Sequence, residues 1–363
     1  MSAQPAPDPA AFAALLCDYC LEVTPGQQVV VRSSTLAAPL LLELQKALLE
    51  RQAWPLLRVD LPQQQEGFWQ AAGEELLDQF PPLELTEAKT TDAAITIQAP
   101  SNTNALSGVD PARLARAARA RALIREASLQ RRWNLTIWPT PALAQQAGMA
   151  SGEYAAFVTR ALFLDRPDPV AAWQELSAFQ ADLIERLSDA RTVHLQADGT
   201  DLTLDVSGRT WINSDGRRNM PSGEVFTGPH ESSANGRVRF SVPTSPGGVD
   251  VSGVELEFRD GRVVGASADH GESYLKEMLM SDEGASRLGE LGIGTNFGID
   301  RPTGTILLDE KLGGTVHLAL GRSYPETGGI NASALHWDLI CDLRAGGRLS
   351  VDGIVVQENG SFR

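Results

Sequence analysis

The chain has 363 residues, of which 42% are hydrophobic and 21% are charged, and its formal net charge is −15. A single core rarely grows beyond roughly 250–300 residues, so this length predicts two domains. The acidic balance argues against a nucleic-acid partner, because a duplex-binding surface must neutralise phosphates.

The beginning of the chain and the cysteines indicate a compartment. Residues 1–9 lack the basic and apolar segments of a secretory signal, and no apolar run reaches the ~18 residues that a membrane span requires. The three cysteines are an odd and low number, which is typical of a reducing compartment. These features predict a cytoplasmic protein with no membrane partner. Cys17 and Cys20 form a C-x-x-C inside an apolar helical pattern, which favours core packing over a zinc or redox site.

The first half of the chain alternates between helical and strand patterns. Helices are predicted at residues 9–21, 37–51, 66–79, after the Asp110-Pro111 pair, and at 152–163 and 169–187; strands are predicted at 28–31, 55–61, 93–98 and 134–138. Strands that alternate with helices imply a parallel sheet with helices on its faces. We therefore predict an N-terminal α/β domain, residues 1–188, with an open and mainly parallel sheet flanked by helices.

After residue 188 the pattern changes to short strands. These are predicted at residues 193–197, 201–206, 236–241, 254–259 and 262–266. The turns carry Asp-Gly or Asn-Gly pairs, such as Asp260-Gly261, which tolerate the positive φ of tight hairpins. One helix, at 274–291, interrupts them. We predict an α+β C-terminal domain, residues 189–363, with mostly antiparallel strands.

Five potential metal ligands lie in Gly-, Ser- or Thr-rich segments of this second domain. His336 and Asp338 are two residues apart on a predicted strand, so both side chains point to one face. His317 lies on another predicted strand after Gly313-Gly314, Glu224 lies between Gly223 and Val225, and Glu290 lies where the predicted helix ends in a glycine-rich loop. Taken singly, each has an ordinary structural alternative: a His–Asp hydrogen bond, a buried core histidine, or a carboxylate near a helix end.

Taken together, three carboxylates and two imidazoles suit two divalent ions about 3.5–4 Å apart. The carboxylates offset much of the charge of the ions. A water that bridges the two ions loses a proton near neutral pH and becomes a nucleophile. The composition of the set therefore predicts a binuclear hydrolytic site.

Five segments resemble the aminopeptidase T and aminopeptidase S family of thermophilic-type metalloaminopeptidases: residues 220–226, 288–296, 309–321, 323–329 and 333–342. The resemblance implies a metal-dependent aminopeptidase that removes the N-terminal residue of short peptides. It implies two divalent ions (zinc, cobalt or magnesium), with ligand positions on Glu224, Glu290, His317, His336 and Asp338, and one bridging carboxylate.

The resemblance also implies roles for residues near the ligands. Tyr324 matches a tyrosine close to the metals, and we assign its phenolic O–H to stabilising the tetrahedral oxyanion. Glu326 and Glu310 are the candidates for the general base. Lys311 either holds a substrate carbonyl or pairs with Glu310. His230 differs from the family pattern and lies either at the cavity edge or on the surface.

Members of the family form homodimers through the C-terminal domain, and the N-terminal domain covers the active-site cavity. The same assembly is expected of this chain. Two alternatives remain at this point. One is another binuclear hydrolase, an amidohydrolase or a phosphoesterase, for which Arg301, Lys311 and Arg322 would supply basic groups. The other is a catalytically silent protein that binds small molecules or peptides between two domains.

Overall fold

The computed structural model describes residues 6–363. Its helices, in chain order, are α1 (Pro9–Leu15), α2 (Ala38–Glu50), α3 (Gln64–Ala71), α4 (Glu74–Leu77), α5 (Pro82–Thr90), α6 (Pro111–Ala120), α7 (Ala122–Leu129), α8 (Pro141–Gln146), α9 (Ser151–Ala161), α10 (Pro169–Leu187), α11 (Glu272–Leu279) and α12 (Ile306–Asp309). Its strands are β1 (Gln28–Ser34), β2 (Trp54–Asp60), β3 (Ala93–Gln98), β4 (Arg132–Ile137), β5 (Thr192–Ala197), β6 (Thr200–Asp205), β7 (Ile212–Ser214), β8 (Asn219–Met220), β9 (Glu224–Thr227), β10 (Asn235–Phe240), β11 (Val254–Arg259), β12 (Arg262–Ser267), β13 (Leu288–Gly294), β14 (Thr315–Gly321), β15 (His336–Asp342), β16 (Arg348–Val351), β17 (Ile354–Glu358) and β18 (Ser361–Phe362).

The chain forms two compact units, and the first takes the residues up to Ala172 together with Gly216–Pro221. Its sheet has the strand order β2-β1-β3-β4-β8, and all neighbouring strands are parallel. The interior strand β1 carries Val29, Val30 and Val31, all of them buried, as expected of an inner strand in a parallel α/β sheet. The predicted α/β unit with a mainly parallel sheet is confirmed.

The residues around Pro9 explain why the first helix begins there. The Asp8 side chain caps its first turn, and Pro9 occupies the first helical position, where no backbone N–H is needed. A π-helical turn, Leu16–Cys20, extends the helix, and both Cys17 and Cys20 are buried in it. The predicted packing role of the C-x-x-C pair is thus confirmed.

The helix predicted at residues 66–79 is divided into α3 and α4. Gly73 interrupts it in an extended conformation, and α4 begins directly afterwards. Helix α5 was not predicted. It begins with Pro82 at its first position, and the prolines before it read in sequence as a loop.

The second unit comprises Trp173–Asp215 and Ser222–Arg363. The units therefore divide after Ala172, whereas the sequence pattern placed the boundary at residue 188. Helix α10 belongs mostly to the second unit, because Leu183 and Leu187 pack in its apolar core. The change of pattern at residue 188 marks the first strand of the unit and not the start of its core.

Two antiparallel sheets make up most of the second unit. One has the order β12-β11-β10-β6-β5-β16-β17-β18, and the other has the order β15-β14-β13-β9-β7. Apolar side chains of both sheets form a single buried cluster, which includes Leu195, Leu256, Leu291 and Leu318. The predicted α+β class with mostly antiparallel strands is confirmed.

The helix predicted at residues 274–291 is wrong after residue 279. Helix α11 ends at Leu279, and Leu288–Gly294 is the central strand β13. All seven residues of β13 are buried. A strand that is buried on both faces lacks the polar alternation that identifies strands, so residues 288–291 were read as the end of the helix and residues 292–294 as a loop.

Candidate metal centre

The five candidate ligands lie on four neighbouring strands of the five-stranded sheet. Glu224 lies on β9, Glu290 on β13, His317 on β14, and both His336 and Asp338 lie on β15. The last pair share one face of their strand, as the spacing predicted. Glu290 lies within strand β13 and not, as predicted, at the end of a helix.

Small residues stand opposite every candidate ligand in the sheet. The cross-strand pairs are Glu224 with Gly294, His317 with Gly292, His336 with Gly321, and both Glu290 and Asp338 with Ala319. A Cβ atom on Gly292 would lie 2.0 Å from Cε1 of His317, so a glycine there leaves room for the imidazole. The glycines of these segments therefore clear the space into which the functional side chains project.

The ligand atoms form two groups that share one carboxylate. In the first, Nε2 of His317 lies 3.3 Å from Oε1 of Glu290 and 3.4 Å from Oε2 of Glu224. In the second, Nε2 of His336 lies 3.5 Å from Oε2 of Glu290 and 3.6 Å from Oδ1 of Asp338. Each group offers three ligand atoms within 4.8 Å of one another. Glu290 is the shared residue, with one oxygen directed to each imidazole.

The orientation of His336 is set by its other ring nitrogen. Nδ1 lies 2.8 Å from the backbone carbonyl oxygen of Arg322, so Nδ1 carries the proton and donates it to that oxygen. The lone pair of Nε2 is then directed at the carboxylates. Hydrogen bonds of this kind commonly hold metal-binding histidines in place.

A buried lysine lies next to the first group. The Lys311 side chain is fully buried, and its Nζ lies 3.1 Å from Oε1 of Glu224. The same ammonium pairs with Glu310, whose carboxylate is largely buried as well. Of the two roles considered for Lys311, the structure shows the pairing with Glu310, and it adds a contact to a candidate ligand that the sequence did not predict.

Proton affinities in the cluster reflect burial and crowding of like charges. Burial raises the pKa of Glu290, and the neighbouring carboxylates Asp338 and Glu224 raise it further. Burial also raises the pKa of Glu310, to about 8, against the opposing effect of Lys311. Burial alone would lower the pKa of His317, but the surrounding carboxylates outweigh it and raise that pKa to about 10. Without another cation, the cluster therefore retains protons on groups that are ordinarily deprotonated at neutral pH.

The donor set fits a pair of divalent cations. Four carboxylates, those of the three acidic ligands and of Glu310, face one ammonium, which leaves an excess of three negative charges when both imidazoles are neutral. Oε2 of Glu224 and Nδ1 of His317 are buried and have no hydrogen-bond partner among residues 6–363. Carboxylate and imidazole donors suit zinc and similar borderline ions, and bound cations would compensate the buried charge.

Tyr324 lies beside this cluster, whereas Glu326 is exposed to solvent. The ring of Tyr324 packs edge-on against His336 with 5.1 Å between centroids, and against Phe226 with 5.6 Å. Burial and the nearby carboxylates, Glu290 foremost, raise the pKa of Tyr324, so its phenol keeps the proton and is a donor. Glu326 is exposed on the turn Pro325–Thr327.

His230 has a structural position. One of its ring nitrogens, Nε2, lies 2.8 Å from the carbonyl oxygen of Ser207, and the other lies 3.2 Å from a guanidinium nitrogen of Arg209. The same guanidinium donates to Glu231, which in turn accepts from the backbone N–H of Ile330. These bonds hold the loop that follows Tyr324, and both nitrogens of His230 are occupied by them.

A supporting residue that the sequence reasoning missed is Gln180 of α10. It is fully buried, and its amide nitrogen donates to the backbone carbonyl of Glu224 at 2.6 Å. This bond fixes the start of β9, from which the Glu224 side chain projects. A signal was available: Gln180 is a polar residue in register with the apolar stripe of Trp173, Leu183 and Leu187.

In the part of the chain that the structure describes, no helix combines the length and the apolar character needed to cross a bilayer.

Comparisons with known proteins place these observations in a family context. Residues 8–362 match the sequence profile of the family described as thermophilic metalloprotease (M29). Aminopeptidase 2 of Geobacillus stearothermophilus is 31% identical to this chain, over 94% of this chain and 93% of that protein. Aminopeptidase PepS of Streptococcus thermophilus is 32% identical over 52% of this chain and 51% of its own.

One solved structure shows the same fold over almost the whole chain. Wild-type AmpT from Thermus thermophilus aligns with a TM-score of 0.85 and covers 98% of this chain and 98% of its own, at 24% sequence identity. Both units and their sheets thus belong to a known architecture.

Proposed function

The chain belongs to the thermophilic metalloprotease family, M29, and is a metal-dependent aminopeptidase; we propose that it hydrolyses the N-terminal peptide bond of short peptides at a binuclear centre on β9, β13, β14 and β15. The observation that carries the proposal is the sharing of Glu290 between two three-ligand groups. A carboxylate with one oxygen directed at each imidazole supports a bridging role between two ions.

The proposed ligands divide between two positions. Glu224 and His317 would hold one ion, His336 and Asp338 would hold the other, and Glu290 would contribute to both. Divalent ions at such a site supply Lewis acidity, which acidifies water and polarises a carbonyl group. Imidazole and carboxylate donors support zinc or cobalt, and the share of carboxylates also accommodates magnesium.

The remaining residues have roles in proton transfer and orientation. We assign Glu310 as the general base that takes the proton of the attacking water and returns it to the leaving amine, because it is buried within the cluster whereas Glu326 is exposed. Lys311 holds Glu310 and Glu224 in position. Tyr324, kept protonated, donates its O–H to the oxyanion that forms on the scissile carbonyl.

The charge arrangement gives less support to a phosphoesterase. Lys311 is one of the basic residues with which a phosphoesterase could bind phosphate, but Glu224 and Glu310 neutralise its charge. A phosphate needs uncompensated cations near the metal pair, and this ammonium is already paired.

Assembly and location complete the proposal. We propose a homodimer formed through the C-terminal unit, and a cytoplasmic location, which the three buried and unbridged cysteines support. The expected covering of the cavity by the N-terminal domain stays a prediction. Light scattering during gel filtration would show the dimer as twice the chain mass of 39.0 kDa.

The first experiment is hydrolysis of amino-acid anilides by the purified full-length chain. Leucine, glutamate and N-acetyl-leucine p-nitroanilides are incubated with untreated protein, with chelated protein, and after return of zinc, cobalt or magnesium. Cleavage of free-amine substrates only, lost on chelation and restored by metal, supports the proposal. Equal cleavage of the acetylated substrate, or activity that survives complete chelation, refutes it.

Glu290→Gln tests the bridging role. Elemental analysis is expected to show that metal content falls from two ions per chain, and that activity falls with it, because an amide has only one oxygen and no charge for the two ions. Glu283→Gln is the matched control, since that side chain is 89% exposed in the same unit. A Glu290→Gln protein that retains two ions and full activity would show that the shared carboxylate is not a ligand.

A further inference from the structure

A cavity of about 410 Å³ opens beside His336 and Asp338 within the second unit. Most of its lining is apolar, from Val242, Pro243, Pro246, Ile306, Trp337 and Ile340. Its volume lies in the range of roughly 300–1,000 Å³ that is typical of pockets for small ligands. The cavity is therefore large enough for a bulky side chain next to the proposed metal centre.

The wall of the cavity is tied to the strand that carries two of the ligands. The backbone N–H of Val242 donates to the carbonyl of Ile340 on β15, at 3.5 Å. Trp337, which lies between the two ligands of β15, donates from its indole nitrogen to the Thr244 hydroxyl at 3.4 Å. The loop that these bonds anchor closes on itself through paired backbone bonds between Thr244 and Val251. The cavity is thus formed before a substrate arrives.

The charges around the cavity disfavour acidic side chains. Of the described residues that line it, none is a lysine or an arginine. Asp309 lines it but is only 3% exposed, and its carboxylate accepts from the N–H and hydroxyl of Thr303 and from the N–H of Gly304. Apart from an ion held by His336 and Asp338, the lining therefore offers a substrate carboxylate no positive partner, and its desolvation carries a cost that an apolar side chain does not incur.

Building on the proposed function, we propose that this cavity receives the side chain of the N-terminal residue of the peptide and selects leucine-like and phenylalanine-like residues over acidic ones. The scissile carbonyl must reach the ligand cluster. The Cα bonded to that carbonyl carbon carries the side chain of the N-terminal residue. A bulky apolar side chain at that position fills a volume that adjoins His336 and Asp338 directly.

The substitution Ile306→Lys tests this assignment. Ile306 is 45% exposed at the start of α12, so a lysine there can be accommodated while its ammonium reaches the cavity. Ile354→Lys is the matched control: that residue is 70% exposed on β17 and does not line the cavity. Thermal unfolding of both variants checks that each is folded.

The measurement is kcat/KM for leucine, phenylalanine and glutamate p-nitroanilides with the metal-loaded enzymes. The wild type is expected to prefer leucine and phenylalanine over glutamate. In Ile306→Lys the leucine-to-glutamate ratio is expected to fall about two- to fivefold, the effect of one partly exposed ion pair, and in Ile354→Lys it is expected to stay unchanged.

The outcomes separate this inference from the function on which it rests. Hydrolysis by the wild type without preference for apolar residues, or an equal ratio in both lysine variants, would refute the cavity assignment alone. Absence of hydrolysis of every anilide with every metal would refute the aminopeptidase function and this inference with it.

Discussion

Replacing the buried ammonium of Lys311 with the apolar side chain of methionine tests the electrostatic account of the centre. The Lys311→Met substitution keeps a similar length and removes the ammonium that contacts both Glu224 and Glu310. In the metal-free protein, Glu310 then loses its ion-pair partner, and Glu224 is left with the imidazole of His317. The free energy of unfolding of the second unit is expected to fall, and bound ions are expected to restore part of it.

The magnitude follows from the burial of the pair. Removing one partner of a buried ion pair costs about 3–5 kcal/mol, because the remaining charge is left uncompensated. In a unit of roughly 150–250 residues, 1 kcal/mol shifts the unfolding midpoint by about 2–4 °C, so the metal-free midpoint is expected to fall by roughly 6–20 °C. With ions bound, the cations attract Glu224 in place of the ammonium, and the difference from wild type is expected to narrow.

Differential scanning calorimetry of chelated and metal-loaded protein measures both quantities. Lys276→Met is the matched control, since Lys276 forms an exposed ion pair with Glu272 in the same unit and its loss should shift the midpoint little. A second variant, Lys311→Met combined with Glu310→Gln, should recover part of the loss by removing one unpaired charge. A metal-free Lys311→Met protein that melts within a degree of the wild type would refute the reasoning.

Two further predictions concern Tyr324 and the cysteines. Tyr324→Phe should lower kcat by about 10²–10³-fold, the effect of one lost oxyanion donor, while elemental analysis shows unchanged metal content; an unchanged kcat would remove Tyr324 from the mechanism. Burial raises the pKa of Cys17 to about 12 and of Cys341 to about 11, so both remain thiols at pH 8 and should not react with a disulfide reagent in the native protein. All three thiols should react after denaturation, and rapid stoichiometric reaction of the native protein would contradict the buried placement.

Local patterns were sufficient for the features that depend on neighbours in the chain. The i, i+2 spacing of His336 and Asp338 determines that both side chains share a face, because a strand has a period of two. The alternation of strands with helices predicted the parallel sheet of the first unit, since such connections require crossovers. The sequence also shows Gly292 and Gly294 near Glu290, but it does not show why glycine is required at these positions.

Features that depend on register could not be predicted in this way. That Glu290 is shared by two groups follows from the pairing of β13 with β9 and β14 and of β14 with β15, and no local signal specifies that alignment. The same pairing explains Gly292, which leaves room for the ring of His317. Burial also explains why residues 288–291 were assigned to a helix and residues 292–294 to a loop: the central strand is buried on both faces, so the period that reveals a strand is missing.

The composition of the second half determined that several carboxylates and imidazoles were present in glycine-rich strands. Only the tertiary structure decided how they are used. It placed the ammonium of Lys311 between Glu224 and Glu310, buried Glu310 while leaving Glu326 exposed, and formed the apolar cavity from a loop, a short helix and the edge strand β15. The physical reason is that charge neutralisation and cavity shape depend on side chains from segments that are distant in the sequence. Secondary-structure propensity and hydrophobic periodicity depend on residues within a single segment.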